Sequence, residues 1–122
     1  MSLRTLVRSA LASTDDVAAG EERHAAATVT GCTALEDLCT RRRFAASGVL
    51  RSVVLHPSQD VPTVEAELYD GTDTLDLVWL GRREIAGIVP GRRLRVDGMV
   101  TDRGGRRTMY NPRYELRARA GE

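Results

Sequence analysis

Residues 64–80 read Val64-Glu65-Ala66-Glu67-Leu68-Tyr69-Asp70-Gly71-Thr72-Asp73-Thr74-Leu75-Asp76-Leu77-Val78-Trp79-Leu80. Val64, Ala66 and Leu68 alternate with Glu65, Glu67 and Tyr69, the period of a strand that buries one face. Asp70-Gly71-Thr72-Asp73 follows, and Asp-Gly between two alternating runs is a strong hairpin signal. Leu75, Leu77 and Trp79 then form the inner face of a return strand, with Thr74, Asp76, Val78 and Leu80 on the other side. Trp79 is assigned to the core because it alternates with polar neighbours.

Working outward, the strand texture extends in both directions. Upstream, alternation from Phe44 through Leu55 predicts a long first strand. Gly48 lies inside it, where a glycine marks a bulge or a sharp bend. Downstream, residues 81–90 read as a connection with one helical turn, and Leu94, Val96, Gly98 and Val100 make a fourth strand. Asp102-Arg103-Gly104-Gly105 is a turn into a fifth strand, residues 106–116, interrupted at Asn111-Pro112 because proline cannot donate to a ladder. Five strands, a bent glycine-bearing first strand and a connection between the third and fourth give a mainly β chain: a five-stranded OB-fold barrel. An SH3-like barrel is the rival and fits the strand lengths less well.

The first forty residues differ in texture. Apolar positions at helical spacing predict a helix near 2–12, and alanines predict a weak second helix near 14–27. The expected organisation is an N-terminal helical arm (1–40), the OB-fold domain (41–117) and a loose tail (118–122). No apolar run approaches the length of a membrane span, and the N-terminus lacks the long apolar stretch of a signal peptide. A cytoplasmic protein is expected, with no membrane partner.

The chain has 122 residues, 42% of them hydrophobic, and a net charge of +1. That balance excludes a purely electrostatic, histone-like binder and an acidic disordered protein. All eighteen basic residues are arginine, whose guanidinium pairs with phosphate in a fork and stacks on bases. The neutral total conceals an uneven layout. Residues 44–80 carry net −5, whereas residues 81–121 hold eleven arginines against four acids, net +7. Such asymmetry marks a nucleic-acid surface or a solvated charged face.

Cys32 and Cys39 flank a short helical turn and, with isolated His24 and His56, make no metal-ligand spacing. They read as free thiols. No nucleophile motif or phosphate cradle is present. The expectation is a non-enzymatic module without metal or cofactor.

Three stretches carry a resemblance. Residues 67–80 look like the second hairpin of bacterial OB domains of the anticodon-binding type. Pro90-Gly91-Arg92-Arg93-Leu94-Arg95-Val96-Asp97-Gly98 resembles their loop into strand four. Arg106-Arg107-Thr108-Met109-Tyr110-Asn111-Pro112-Arg113-Tyr114-Glu115-Leu116 resembles the last strand of the wedge domain of RecG-type helicases. The whole chain is also similar to a family of small stand-alone actinobacterial proteins of the OB-fold nucleic-acid-binding-like kind. The resemblance implies binding of single-stranded or branched DNA, or of RNA, without a motor, since no G-x-x-x-x-G-K-[ST] is present.

An OB-fold takes single strands across strands two and three, framed by the first-to-second and fourth-to-fifth loops. It needs aromatic platforms and backbone-tracking cations. The candidates are Arg51, Tyr69, Arg92, Arg93, Arg95, Arg103, Arg106, Arg107, Tyr110 and Arg113. Tyr69 should point outward, and Tyr110 shares a face with Tyr114 unless Asn111-Pro112 shifts the register. The alternative is a protein-interaction module or self-association, favoured by Glu65, Glu67 and Asp76 on the outward face of strands two and three. Arg82 and Arg83 are candidates to pair with those acids.

Overall fold

The computed structural model describes residues 17, 19–23, 31–57 and 60–118. Its strands are β1 (Arg42–His56), β2 (Thr63–Tyr69), β3 (Thr74–Leu80), β4 (Arg93–Arg103), β5 (Arg106–Tyr110) and β6 (Arg113–Leu116). β1 pairs with β4 through its first half and with β2 through its second. β3 lies antiparallel to β2 and parallel to β5, and β5 lies antiparallel to β4. The sheet therefore closes in a ring, β1-β2-β3-β5-β4-β1. β5 and β6 are the two halves of the predicted fifth strand, bonded to successive stretches of β4. The mainly β, five-strand ring expected from the alternation is present.

β1 serves two partners because it bends. At Gly48 an added Cβ would lie 2.4 Å from the Tyr69 carbonyl oxygen, so only glycine lets β1 cross β2 this closely. The register slips between Leu50 and Ser52, leaving Arg51 as the extra residue of a bulge. The Arg92 carbonyl accepts from Leu50 N at 2.9 Å and Gly91 N donates to the Leu50 carbonyl at 2.7 Å, tying the start of β4 to this bend.

The inward residues Ala46, Leu50, Leu68, Leu77, Trp79, Leu94, Val96 and Met109 fill the ring. A 3₁₀ turn at Leu35–Asp37 adds Leu35 and Leu38 to this core. Its position is fixed by Asp70, buried in the β2–β3 turn, whose Oδ2 accepts from Leu35 N at 2.8 Å. The Asp70 Oδ1 takes Thr72 N at 2.9 Å and Asp73 N at 3.2 Å, the side-chain pattern that shapes an Asx turn. Ile85 and Ile88 enter the core from the β3–β4 connection. The Tyr114 hydroxyl donates to the Ala86 carbonyl at 3.0 Å, and its ring meets Trp79 edge-on, 5.8 Å between centroids.

The break between β5 and β6 has a structural use. Asn111 adopts φ +50°, and its backbone N donates to the Val78 carbonyl at 2.7 Å while Oδ1 accepts from Leu80 N at 2.9 Å. It continues the β3–β5 pairing beyond the last ladder residue. The shift sends Tyr110 and Tyr114 to different environments, one exposed and one packed on Trp79.

Residues 17 and 19–23 are helical, within the span predicted for the second helix. The predicted helix near 2–12 lies outside the described residues. Glu22 receives both terminal nitrogens of Arg93 at 2.8 Å, and Arg23 Nε donates to the Gly71 carbonyl at 3.0 Å. This segment of the arm is thereby seated on the ring beside the β2–β3 turn. Among the described residues, no helix is long and apolar enough to cross a membrane.

Candidate nucleic-acid interface

The outward positions of the ring align in rows across the strands. Ser52, Glu67, Asp76 and Thr108 form one row; Val54, Glu65, Val78 and Tyr110 form the next. Tyr69, paired with Thr74, stands on the other side of the Glu67 row. Because the side-chain period of a strand is two, this face is set as soon as the inner face is buried.

Arg51, released by the bulge from the regular ladder, lies over the Tyr69 ring with its guanidinium carbon 4.2 Å from the centroid. This is a cation–π contact on the surface, with Arg51 exposed and Tyr69 half-buried. Tyr110 is exposed at the diagonal corner of the face. Between the two tyrosines lies a groove of about 260 Å³ lined by Ser52, Val54, Glu65, Ala66, Glu67, Asp76, Arg103 and Arg106.

The two arginines enter the groove from the β4–β5 hairpin. Gly104 and Gly105 both take positive φ, and Gly105 N donates to Asp102 Oδ1 at 2.9 Å. Such a turn keeps the arms of a hairpin close. Arg106 grips Asp76 in a fork, Nε to Oδ2 at 2.6 Å and Nη2 to Oδ1 at 2.8 Å, and reaches Glu67 at 3.3 Å. Arg103 donates to Glu65 at 2.8 Å and to Asp76 at 3.4 Å. His56 Nε2 lies 3.2 Å from the second Glu65 oxygen. Below the groove, Arg107 pairs with Asp73 and donates to the Leu38 carbonyl.

The charge–charge contacts move the titrations in the expected directions. The hydrogen bond from Arg106 holds the Asp76 carboxyl below the usual carboxylate range, against the opposing pull of burial. Glu65 and Asp76 raise the affinity of Arg103 and Arg106, respectively, for their protons. On this face the arginines thus already hold carboxylates in the geometry with which they would hold phosphates.

The sequence candidates divide between two faces. Arg51, Tyr69, Arg103, Arg106 and Tyr110 lie on the groove face, where Arg103 and Arg106 line the groove and the Arg51–Tyr69 pair and Tyr110 flank it, with Arg107 at its lower edge. Arg93, Arg95 and Arg113 project from the opposite side of the ring, where Asp97 pairs with Arg113 and Glu115 with Arg95 in the ladder. Arg93 is occupied by Glu22. Arg92 is half-buried in the loop before β4, and its Nε is buried without a hydrogen-bond partner. Arg82 and Arg83 are exposed, and it is Arg103 and Arg106 that reach the acids of β2 and β3.

Several contributors had no sequence signal of their own. His56 reads only as a loop residue, yet it joins Glu65. Glu22 falls in the span of the weak second helix with nothing in the sequence to single it out, yet it closes on Arg93. The signal that would have located the Arg103–Arg106 lattice is Gly104-Gly105. It places two arginines at the mouth of a hairpin whose neighbours in the ring are the acidic strands. Cys32 is half-buried and Cys39 exposed, both as free thiols; burial pushes the Cys32 thiol upward. Among the described residues, no group of His, Cys, Asp and Glu is arranged to hold a metal.

No family model and no curated protein matches the chain. Among solved structures it is similar to one described as RecG bound to a three-way DNA junction, with 23% sequence identity and a TM-score of 0.57. The match covers 71% of this chain and 12% of that one, so the chain spans a small part of that protein's length. At this identity the likeness is one of fold: the closed ring with its broken last strand is a RecG-like β fold.

Proposed function

We propose that the chain is a non-enzymatic OB-fold module that binds single-stranded or branched DNA, weakly and without sequence preference. The observation that carries this reading is the outer face that Arg51, Tyr69, Arg103, Arg106 and Tyr110 share. It combines what a single-strand binder needs: an exposed aromatic platform at Tyr110, a stacked Arg51–Tyr69 pair whose guanidinium can take a base, and further guanidinium groups beside them. It is also the face that an OB-fold offers its ligands, with the β4–β5 loop at its rim. A fold shared with part of a protein seen on a three-way DNA junction supports the same reading.

The second reading is a protein-interaction module. It rests on Glu65, Glu67 and Asp76, which saturate the arginines of the groove and leave its centre acidic.

Fluorescence anisotropy with labelled single-stranded, forked and duplex DNA, at about 50 and 200 mM salt, decides between them. The expected result is binding to single-stranded or forked DNA that weakens with salt. Tyr69→Ala and Tyr110→Ala should each lose about 1–3 kcal/mol, the worth of one stacked base. Absence of binding to all three DNAs at the lower salt overturns the DNA reading and leaves the protein-interaction reading in its place.

A further inference from the structure

The acidic residues of the groove are not demanded by the fold. A ring needs its inward residues to close; the outward face of β2 and β3 is free to carry any polar set. Here it carries Glu65, Glu67 and Asp76, and each is engaged by an arginine of the β4–β5 hairpin. Counting only these five side chains, three negative charges face two positive ones. Arg51 stands apart, held on Tyr69 with no carboxylate partner among the described residues.

Resting on the DNA reading above, we infer that Glu65 and Glu67 are specificity-determining residues that make the face select single strands against duplex. A duplex presents phosphates and groove edges, and its backbone must compete with the carboxylates for Arg103 and Arg106. A single strand presents bases, which stack on Tyr110 and on the Arg51 guanidinium that covers Tyr69, without displacing Arg103 or Arg106. The carboxylates therefore cost a duplex more than they cost a single strand. Specificity of this kind comes from penalising the wrong partner.

The test is the Glu65→Gln/Glu67→Gln variant, which keeps side-chain shape and leaves Asp76 to hold Arg106. Anisotropy is measured on single-stranded and duplex DNA across a salt series, and the fluorescence of buried Trp79 verifies the fold. Arg103, released from its closest carboxylate, should tighten duplex binding by about tenfold, the value of one charge-assisted contact. It should steepen the duplex salt dependence by up to about 0.9 for the added phosphate contact. Single-strand affinity should change far less, so the preference narrows. If the variant does not fold, Glu65→Gln alone, which removes the 2.8 Å partner of Arg103 while Asp76 keeps Arg106, serves in its place and should move the ratio the same way. Wild-type binding to single strands with an unchanged single-strand-to-duplex ratio in the variant overturns this inference alone. If neither wild type nor variant binds any DNA, both readings fail together, because freed arginines would take phosphate on their own. A merely structural role would lower stability and weaken both DNAs equally, which also overturns it.

Discussion

Asn111 concentrates three demands in one residue: a left-handed backbone, a backbone donor to β3 and a side-chain acceptor for Leu80 N. Asparagine visits this conformation more readily than alanine, by roughly 1 kcal/mol. An unmade bond to an amide adds about 1 kcal/mol more. Asn111→Ala should therefore lower unfolding stability by about 2 kcal/mol in denaturant titrations. Asn111→Gly, which relieves the backbone but not Leu80 N, should lie between it and the wild type. Equal stability of all three would mean that the β3–β5 closure does not depend on this side chain. The break at Asn111-Pro112 is legible because proline cannot donate. Its purpose is not, since a side chain bonding a backbone amide thirty-one positions away leaves no local trace.

Among the elements, β1 decides the topology. One strand gives its first half to β4 and its second to β2, and the handover occurs within a few residues at Gly48, Leu50 and Arg51. Gly48→Ala would push a methyl group into the Tyr69 backbone, which cannot move away as a flexible side chain would. The expected loss is about 1–3 kcal/mol or more, by analogy with overpacked cores. It should be visible as a lowered Tm, with slower amide exchange lost first at Leu50 and Leu68. An unchanged Tm would show that the crossing has slack. Here much is legible in the sequence. Alternation marks β1 to β4, and the Gly104-Gly105 turn and Asn111-Pro112 mark a single interrupted last strand that folds as β5 and β6. Asp70-Gly71 marks the β2–β3 turn, and Gly48 the bend. Which arginines meet which acids was not legible. Register within a strand follows from burial, but the neighbour across a closed ring depends on how many residues the long connections consume. Arg82 and Arg83 are nearer in sequence to β3 than Arg103 and Arg106 are, yet ring closure brings the later pair to Asp76.

For the whole molecule, the lattice of the groove face links β2, β3, β4 and β5 through charge, so its strength depends on pH. Asp76 is the most enclosed acid of that lattice, facing Arg103 and Arg106, with Glu65, Glu67 and His56 around them. Its folded-state carboxyl titrates below the ordinary value of about 3.9. A lowered folded value means that the unfolded chain binds the proton first as pH falls. The stabilisation is thus complete above the ordinary carboxylate range and is lost as pH drops through the folded value. Asp76→Asn should remove this component, giving a flatter acid limb below about pH 5 in plots of denaturation midpoint against pH. Parallel limbs for wild type and variant would show that Asp76 is not linked to folding. The arginines stay protonated throughout this window and contribute no slope of their own.

The ring also sets the order in which a growing chain can become a protein. Its closing seams are β1 with β4 and β3 with β5, so the opening strand waits for partners from the other end of the chain. During synthesis the β1–β2–β3 meander emerges as an open sheet with Leu50, Leu68, Leu75 and Leu77 uncovered on one side. That sheet stays exposed until the residues up to Tyr110 and Asn111 have left the ribosome. Distant pairings of this kind make folding slow and leave unpaired edges open to other chains. Until the hairpin arginines arrive, Glu65 and Glu67 are unmatched charges on the outer side of that sheet, of the kind that discourages association between copies.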